Sequence, residues 1–219
     1  MLLLKVPFHE KEEVKALGGR WNPQLKSWYA PNRIEYPRFA KWFLHNKASG
    51  ILCEHLYLVL GVHTCFKCGM PTRVMGFGLG HYYEISIHEA EDGKDTYRFN
   101  YFKDEVTIVG DFEPLSSIFL QYLRDNYGFY LDYSKTTKTR YLVNHCQKCN
   151  SIQGYYFVFQ EVKSPFFINS IEKAKALQLI KIPIEYDIIF ESSIGWATYN
   201  NLILPNATII EADFILKSS

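Results

Sequence analysis

Two pairs of cysteines in this chain have the spacing of metal ligands: Cys65-Phe-Lys-Cys68 (the first knuckle) and Cys146-Gln-Lys-Cys149 (the second knuckle). Two intervening residues let one tight turn aim both sulfurs at a single ion, and a second such turn completes a tetrahedron. Gly69 and Asn150 follow the knuckles, and both residue types tolerate the positive φ that such turns favour. We therefore predict one structural Zn²⁺ held by four thiolates, with no coordination position open for chemistry. The predicted ligands are Cys65, Cys68, Cys146 and Cys149.

Disulfide bonding is the main alternative for these cysteines. The opening residues, Met1–Lys5, form an apolar run too short for a secretory signal or a membrane span. We therefore expect a cytoplasmic protein with reduced thiols and no membrane partner. Residues 69–145 separate the knuckles, a distance of 77 residues, against roughly 15–20 in a compact zinc ribbon. A shared ion thus requires this insert to be a substantial subdomain. The fifth cysteine, Cys53, is expected to be a buried apolar residue.

Charge is distributed unevenly, although the 219 residues carry a net charge of only +1. Residues 1–50 hold nine Lys or Arg and four acids, a net of +5, whereas the remainder has fifteen bases and nineteen acids. A basic segment attached to a mildly acidic body indicates an anionic partner at the N-terminal end. The composition, with 47% hydrophobic and 21% charged residues, is that of an ordinary globular protein.

The first 50 residues predict a compact β-α-β-β-α unit, which we call the N-terminal module. Leu2–Pro7 reads as a strand, and Glu10–Leu17 as a helix that Gly18-Gly19 ends. Arg20–Tyr29 reads as two short aromatic strands around an Asn-Pro turn. Tyr36–Asn46 is predicted to be a second helix. The module therefore has its own strands and helices before the first knuckle begins.

Part of this module resembles a known family. The residues that carry the resemblance are Leu4-Lys-Val-Pro-Phe8, Glu10-Lys11, Lys15-Ala-Leu-Gly18, Arg20-Trp-Asn-Pro23 and Lys26-Ser-Trp-Tyr-Ala-Pro31. Over residues 2–31 they are similar to a small domain of unknown function, found alone and appended to plasmid-borne primase-like and antirestriction-type proteins. The resemblance implies proximity to DNA-handling proteins, not a mechanism.

Five cations of the module interleave with its aromatic residues: Arg20, Lys26, Arg33, Arg38 and Lys41. In nucleic-acid interfaces such cations meet phosphates while aromatic rings stack on bases. The alternative for Trp21 and Trp28 is that they form the core of a very small domain, and this is the interpretation we favour. For the cations, the alternative is a solvated face.

The whole chain predicts an α+β fold in which a mainly antiparallel β body, with a zinc-ribbon-like four-Cys site, follows the small module. We expect three domains: the module at 1–50, a zinc-ribbon-like domain with a long insert at 51–165, and a helix with strands at 166–219 packing on the body. Helices are predicted at Leu115–Tyr127 and Asn169–Leu179. Strands are predicted at Leu56–Val62, Tyr82–Glu89, Thr96–Phe102, Tyr155–Glu161, Ile182–Phe190 and Thr208–Leu216, with a hairpin turn at 91–94.

The segment Tyr133–Tyr141 offers a second set of phosphate contacts. Its residues 134–140 include Lys135, Lys138 and Arg140 among four hydroxyl side chains and no acid; the alternative is an exposed polar loop. Together with the knuckles and Gln153-Gly154-Tyr155-Tyr156, this element is similar to uncharacterised bacterial proteins with a split zinc-ribbon arrangement. That resemblance implies no activity.

His81, Glu84 and His88 are a weaker metal candidate. Their spacing falls on a predicted strand, not on the helix that would put two imidazoles on one face. Because 81 and 88 differ by an odd number, the two rings point to opposite sides of a regular strand. We therefore do not predict a catalytic metal there.

Three functions from different classes fit these features. The first is a zinc-structured, non-catalytic nucleic-acid-binding protein of mobile-element or phage-related origin, with DNA favoured over RNA. The second is a protein-interaction or regulatory module. The near-neutral net charge and the acidic body favour this alternative. The third is a metal-dependent hydrolase with a second, open metal site. No nucleophile–base set or nucleotide-binding motif is legible, so we favour the first.

Overall fold

The computed structural model describes residues 1–44, 47–89, 95–194 and 199–217; the side chains of 87–89 and 95 are outside that description. Across these ranges the fold is α+β with mainly antiparallel sheets, as predicted. The strands are β1 (Leu2–Leu4), β2 (Arg20–Asn22), β3 (Ser27–Ala30), β4 (Gly50–Leu52), β5 (His55–Thr64), β6 (Pro71–Leu79), β7 (Tyr82–Glu89), β8 (Asp95–Phe102), β9 (Thr107–Val109), β10 (Phe129–Ser134), β11 (Thr139–His145), β12 (Ile152–Gln153), β13 (Gln178–Pro183), β14 (Ile188–Phe190) and β15 (Thr208–Glu211). The α-helices are α1 (Lys11–Ala16), α2 (Ser117–Tyr127), α3 (Ile171–Lys175) and α4 (Ile203–Asn206). Shorter helical turns are the 3₁₀ segments Phe8–Glu10, Arg33–Trp42 and Asn200–Leu202 and the π-turn Tyr156–Gln160.

Four sheets organise the described strands. The N-terminal module forms the sheet β1-β3-β2, and the body contains the sheets β14-β4-β7-β8 and β15-β13-β5-β6-β9. A smaller sheet, β10-β11-β12, carries the second knuckle. Strand pairs are antiparallel except β13–β15. No helix in the described part of the chain is long and apolar enough to cross a membrane.

The central strand β5 explains why the body is layered. Its run from His55 to Gly61 is buried on both faces, which fits its unbroken apolar sequence. Leu56 and Leu58 face one hydrophobic cluster, which α2 covers. Tyr57 and Val59 face another, which α3 and α4 border. The C-terminal strand β13 completes this sheet by pairing along β5.

The N-terminal module shares its core with the body. Tyr36 and Phe39 of the module are fully buried in one cluster with Ile51 of β4 and Tyr83 of β7. The four-stranded sheet therefore packs against the module on one face and against the five-stranded sheet on the other. The division at 1–50, 51–165 and 166–219 stays a prediction.

The predicted helix Tyr36–Asn46 takes a different form. The segment Arg33–Trp42 is a 3₁₀ helix that begins where the Asn32 side chain accepts a hydrogen bond from the Ile34 amide. Pro37 lies inside it and lacks the N–H that an α-helix would use. The predicted end, Asn46, lies outside the described residues.

Other predicted elements are partly confirmed. α2 begins at the Ser116 cap and ends at Gly128, which has φ 62°. α3 is shorter than predicted, because β13 already begins at Gln178. β7 and β8 form the predicted hairpin, and its turn at 91–94 lies outside the described residues.

Two strand predictions were wrong. The predicted strand Ile182–Phe190 is divided between β13 and β14, which belong to different sheets. In the predicted strand Tyr155–Glu161, Tyr156–Gln160 form a helical turn, and the rings of Tyr155 and Phe159 stack at 4.8 Å. A spacing of four residues brings side chains together on a helix but not on a strand. The aromatic composition, which favours strands, misled here because the two rings pack on each other.

Candidate metal centre

The four predicted cysteine ligands converge on one point. Their sulfur atoms all lie within 4.8 Å of one another. The Sγ atoms of Cys65 and Cys149 are 3.7 Å apart, as are those of Cys68 and Cys146. Four thiolates bound tetrahedrally at the usual zinc–sulfur distance would be about 3.8 Å apart. The cluster therefore fits a single metal ion shared by both knuckles.

Both knuckles use the same turn. In the first, the Cys65 amide donates to the Met70 carbonyl (2.9 Å) and the Gly69 amide to the Cys65 carbonyl (2.8 Å). The second repeats this pattern, with both corresponding hydrogen bonds at 2.9 Å. Gly69 and Asn150 have φ of 69° and 54°, as the sequence predicted. Each turn folds back on itself and thereby points its two sulfurs in one direction.

The surroundings of the second knuckle favour thiolates, which are the form that binds metal, whereas burial and the neighbouring cysteines raise the pKa of Cys68 to about 11. Backbone amides of Cys149 and Lys148 lower the pKa of Cys146 to about 6. The Ser151 hydroxyl, 3.2 Å from the Cys149 sulfur, helps to lower the pKa of Cys149. The buried Gln153 amide donates to the Cys65 sulfur at 3.5 Å. This second layer of donors stabilises negative charge on the ligands.

Side-chain amides near the second knuckle bond to β6, the strand that follows the first knuckle, and so hold the two knuckles together. Asn144 is buried and pairs with the backbone of Met75: the Met75 amide donates to Asn144 (2.7 Å) and Asn144 donates to the Met75 carbonyl (2.9 Å). Gln147 makes the same two bonds with Arg73, at 2.7 and 2.9 Å. Along this edge of β6 the amides thus replace a neighbouring strand, until β9 takes over at Phe77. Sequence reasoning missed both residues; the one available signal was a polar residue two positions before the second knuckle and another inside it.

We expect Asn144→Leu to destabilise the protein by about 1–3 kcal/mol, because it leaves the Met75 amide and carbonyl buried without partners. A metal ion bound by the four cysteines should also be released more readily to a competing chelator. Denaturant melts and chelator titrations measure the two effects. Asn126→Leu, at an exposed position of α2, is the matched control. Unchanged stability and zinc retention in Asn144→Leu would contradict the role of this amide.

A buried histidine ties the hairpin β10–β11 to the second knuckle. His145 stacks on the Tyr130 ring at 3.7 Å, and its Nε2 lies 3.0 Å from the Asp132 carboxylate. The hydrogen bond from His145 lowers the pKa of Asp132. The Tyr130 hydroxyl in turn donates to the Asn150 side chain at 3.0 Å. The hairpin base and the knuckle therefore form one hydrogen-bonded unit.

Three of the predicted nucleic-acid contacts have partners inside the protein. The Arg33 guanidinium donates two hydrogen bonds to the buried Asp187, at 2.8 and 3.0 Å, and one to Glu54 at 2.7 Å. Arg38 pairs with Glu35 at 3.0 Å. Lys41 pairs with Glu10 (3.2 Å) and Glu13 (2.7 Å). Arg33 thus joins the module to the body, contrary to the phosphate contact predicted from its position in the sequence.

The other five predicted contacts are exposed, and none has an ion pair within the described part of the chain. They are Arg20, Lys26, Lys135, Lys138 and Arg140. Arg20 begins β2, and Lys26 is the last residue of the turn before β3. The last three lie at and beside the tip of the β10–β11 hairpin. The structure thus presents them on two separate hairpins, β2–β3 and β10–β11.

The tips of the knuckles add exposed groups that sequence reasoning missed. Phe66 is 73% exposed, and Lys67 beside it and Lys148 in the second knuckle are exposed as well. These three intervening positions face outward because each turn directs its cysteines inward, whereas the fourth, Gln147, bonds to β6. Their position between metal ligands was the signal that could have identified them.

The tryptophans of the module have different surroundings. Trp28 is buried at 9% exposure, as predicted for a core residue, but Trp21 is 48% exposed. The two rings meet edge to face at 5.6 Å. The prediction that both form the core was therefore wrong for Trp21, because β2 is the edge strand of its sheet.

His81 lies before β7, with its Nδ1 3.2 Å from the Glu54 carboxylate. Glu84 lies in the middle of β7, and the His88 side chain is outside the description. Among described residues, the four-cysteine group is the one cluster with the geometry of a metal site.

Comparison with known proteins gives matches to the N-terminal module. Residues 1–43 match the family described as Domain of unknown function (DUF5710), which confirms the resemblance drawn from residues 2–31. Two proteins from Escherichia coli, each named DNA primase TraC, are 56% and 49% identical over 39 residues, or 18% of this chain. These matches span only 4% and 3% of the primases' own length. No solved structure matches the chain.

Proposed function

We propose that this chain is a zinc-structured, non-catalytic nucleic-acid-binding protein with a role connected to mobile elements. One observation carries the proposal: five of the eight predicted contact residues are exposed cations without ion pairs among the described residues. Phosphates are the ligands that such cations neutralise, with release of counterions. The two hairpins that bear these cations, β2–β3 and β10–β11, would contact the backbone of a nucleic acid.

Zinc is the metal we propose for the four-cysteine cluster. Tetrahedral sites of four thiolates select Zn²⁺ or iron–sulfur chemistry, and two CxxC turns are typical of zinc. With all four positions taken by sulfur, the ion would hold the knuckles and the β10–β11 hairpin in place. The protein's own contribution is the hydrogen bonding that favours thiolates.

The matched segment supports DNA as the ligand. The two relatives that share it are named as DNA primases, and the segment includes Arg20 and Lys26. Because the match covers a small fraction of those proteins, their activity as a whole is not carried over. We propose only that the module serves the same class of ligand.

Binding to oligonucleotides should weaken steeply with salt, since the contacts are ionic. We expect the double variant Arg20→Ala/Lys26→Ala, and likewise the triple variant Lys135→Ala/Lys138→Ala/Arg140→Ala, to bind less tightly. The slope of log affinity against log salt should fall by about 0.7–0.9 for each contact removed. Fluorescence anisotropy with labelled DNA across a salt series measures both quantities.

The matched control removes two exposed lysines elsewhere, in Lys163→Ala/Lys175→Ala. It changes the net charge as much as the module variant but should leave the slope unchanged. If the control and the module variant weaken binding equally, the loss reflects net charge and not the position of the cations. That result would contradict the proposal that these two hairpins contact the nucleic acid. Absence of binding at low salt would refute the proposed function.

A cleft between the module and the body supports the second candidate, docking of a protein partner. The cleft has a volume of about 600 Å³ and is lined by Leu3 and Ile189, among others. Both lie on edge strands, β1 and β14, and a parallel bridge joins Leu2 of β1 to Asp187, the residue before β14. An extended peptide supplies main-chain donors and acceptors to such edges. A protein that binds no oligonucleotide at low salt would leave this cleft as the better candidate site.

A further inference from the structure

Trp21 is an exposed aromatic side chain of the N-terminal module. It stands on the edge strand β2 and is 48% exposed, whereas its cross-strand partner Trp28 is 9% exposed. An indole left this open costs the protein solvation free energy, since its ring could be buried as Trp28 is. Half-exposed tryptophans next to cations are typical of binding surfaces.

The charge around Trp21 indicates an anionic ligand. All four acids of residues 1–50 have partners: Glu10 and Glu13 pair with Lys41, Glu12 with Lys15, and Glu35 with Arg38. Arg20 and Lys26 therefore have no carboxylate of the module to neutralise them.

Arg20 adjoins Trp21 on β2, and Lys26 begins the return towards Trp28 with φ of 49°. Successive side chains of a strand alternate, so Arg20 and Trp21 stand on opposite sides of the β2 edge. A ligand along this edge would thus contact a flat ring on one side and a cation on the other.

The Trp21 ring and the cations Arg20 and Lys26 lie along one strand edge. This arrangement fits an unpaired base with its phosphates. In a duplex the base faces are covered by their neighbours, and only base edges and the backbone are offered to the protein. In a single strand each base offers a face for stacking.

We propose that the module binds single-stranded nucleic acid, with a base stacked on Trp21 and phosphates on Arg20 and Lys26. This inference rests on the proposed function and narrows its ligand.

The test compares a labelled 15-nucleotide oligothymidine with a duplex of equal length, using the full-length zinc-loaded protein. Trp21→Ala should weaken binding of the single strand about tenfold to a hundredfold and leave the duplex nearly unchanged. Trp21→Phe should recover part of the loss, because a smaller ring still stacks. Phe8→Ala is the matched control: Phe8 is an exposed aromatic of the same module, with Lys11 over its ring at 4.2 Å, and its removal should have no effect.

A second arm uses an oligonucleotide that keeps its phosphates but lacks bases. The wild-type protein should bind it as weakly as Trp21→Ala binds oligothymidine, and Trp21→Ala should show no further loss. Melting curves verify that Trp21→Ala is folded, as expected for an exposed side chain.

The outcomes separate the two proposals. Unchanged binding of oligothymidine by Trp21→Ala, with salt-dependent affinity intact, would overturn stacking and leave phosphate binding standing. Equal losses for single strand and duplex would also overturn it, because a duplex offers no base face. Failure to bind any oligonucleotide would overturn both.

Discussion

Cys146→Ser is expected to cost the protein its metal and to lower its melting temperature by on the order of 15 °C. The serine hydroxyl stays protonated at neutral pH and is a poor zinc ligand, whereas the Cys146 thiol is already poised towards thiolate by two backbone amides. Metal binding and folding are coupled in sites of this kind, so loss of the ion is loss of folding free energy. Zinc content by mass spectrometry and calorimetric melting measure the two effects.

Cys53→Ala is the control for this prediction. Cys53 is fully buried but lies outside the cluster, and burial raises its pKa. The variant should retain one zinc per chain and lose little stability. A Cys146→Ser protein that still carried a full equivalent of zinc and melted with the wild type would refute the structural role of the cluster.

Asp187→Asn is expected to destabilise the protein by about 3 kcal/mol, the lower end of the range for breaking a buried ion pair. Asp187 is 5% exposed and accepts hydrogen bonds from Arg33 and from the Tyr36 hydroxyl (2.6 Å). The neutral amide cannot form an ion pair with the Arg33 guanidinium. Arg33 would then keep only its ion pair with the solvent-exposed Glu54. For a chain of this size, the loss corresponds to roughly 6–12 °C in melting temperature.

The pH dependence of this variant gives a second readout. Burial acts to raise the pKa of Asp187, but the hydrogen bonds from Arg33 and Tyr36 outweigh it, so its pKa lies below the ordinary 3.8. A carboxylate whose pKa is lower in the folded than in the unfolded chain stabilises the fold at pH values above its unfolded pKa. That stabilisation is lost as the pH falls through the folded pKa. The difference in free energy of unfolding between the wild type and Asp187→Asn should therefore be largest at pH 7 and decrease below about pH 4.

Glu35→Gln is the matched control for the buried pair. It removes the exposed partner of Arg38 in the same helical segment and should cost less than about 1 kcal/mol. Equal effects of Glu35→Gln and Asp187→Asn would contradict the distinction between an exposed pair and a buried one. A gap that stayed constant from pH 7 to pH 3 would show that the Asp187 charge is not what stabilises the junction.

Some features were predictable because they depend on a few neighbouring residues. The cysteine spacing predicted the metal cluster, since each knuckle is a self-contained turn. The end of α2 was predictable from Gly128, because a left-handed residue acts within one turn, whereas the helix begins at Ser117 and not at the predicted Leu115. The N-terminal resemblance was predictable for the same reason, since its motifs are short and closely spaced.

Features that depend on distant partners were not predictable. Arg33 and Asp187 are 154 residues apart, and nothing local distinguishes Arg33 from an exposed cation. Asn144 pairs with a backbone 69 residues away, so its role required the position of β6. Trp21 and Trp28 have similar local sequence, and only the order β1-β3-β2 decides that Trp21 stands at the edge. In each case tertiary packing overrode what composition suggested.

The long separation of the knuckles also has a consequence during synthesis. At ordinary translation rates, about 4–16 s pass between the emergence of Cys68 and that of Cys146. Closing a loop of this length also costs about 1.3 kcal/mol more chain entropy than closing one of a compact ribbon. Until β6 can receive Asn144 and Gln147, the first knuckle offers only two sulfurs. We therefore expect metal capture to be a late event, and a nascent chain that stalls inside the insert to leave two thiols without their partners.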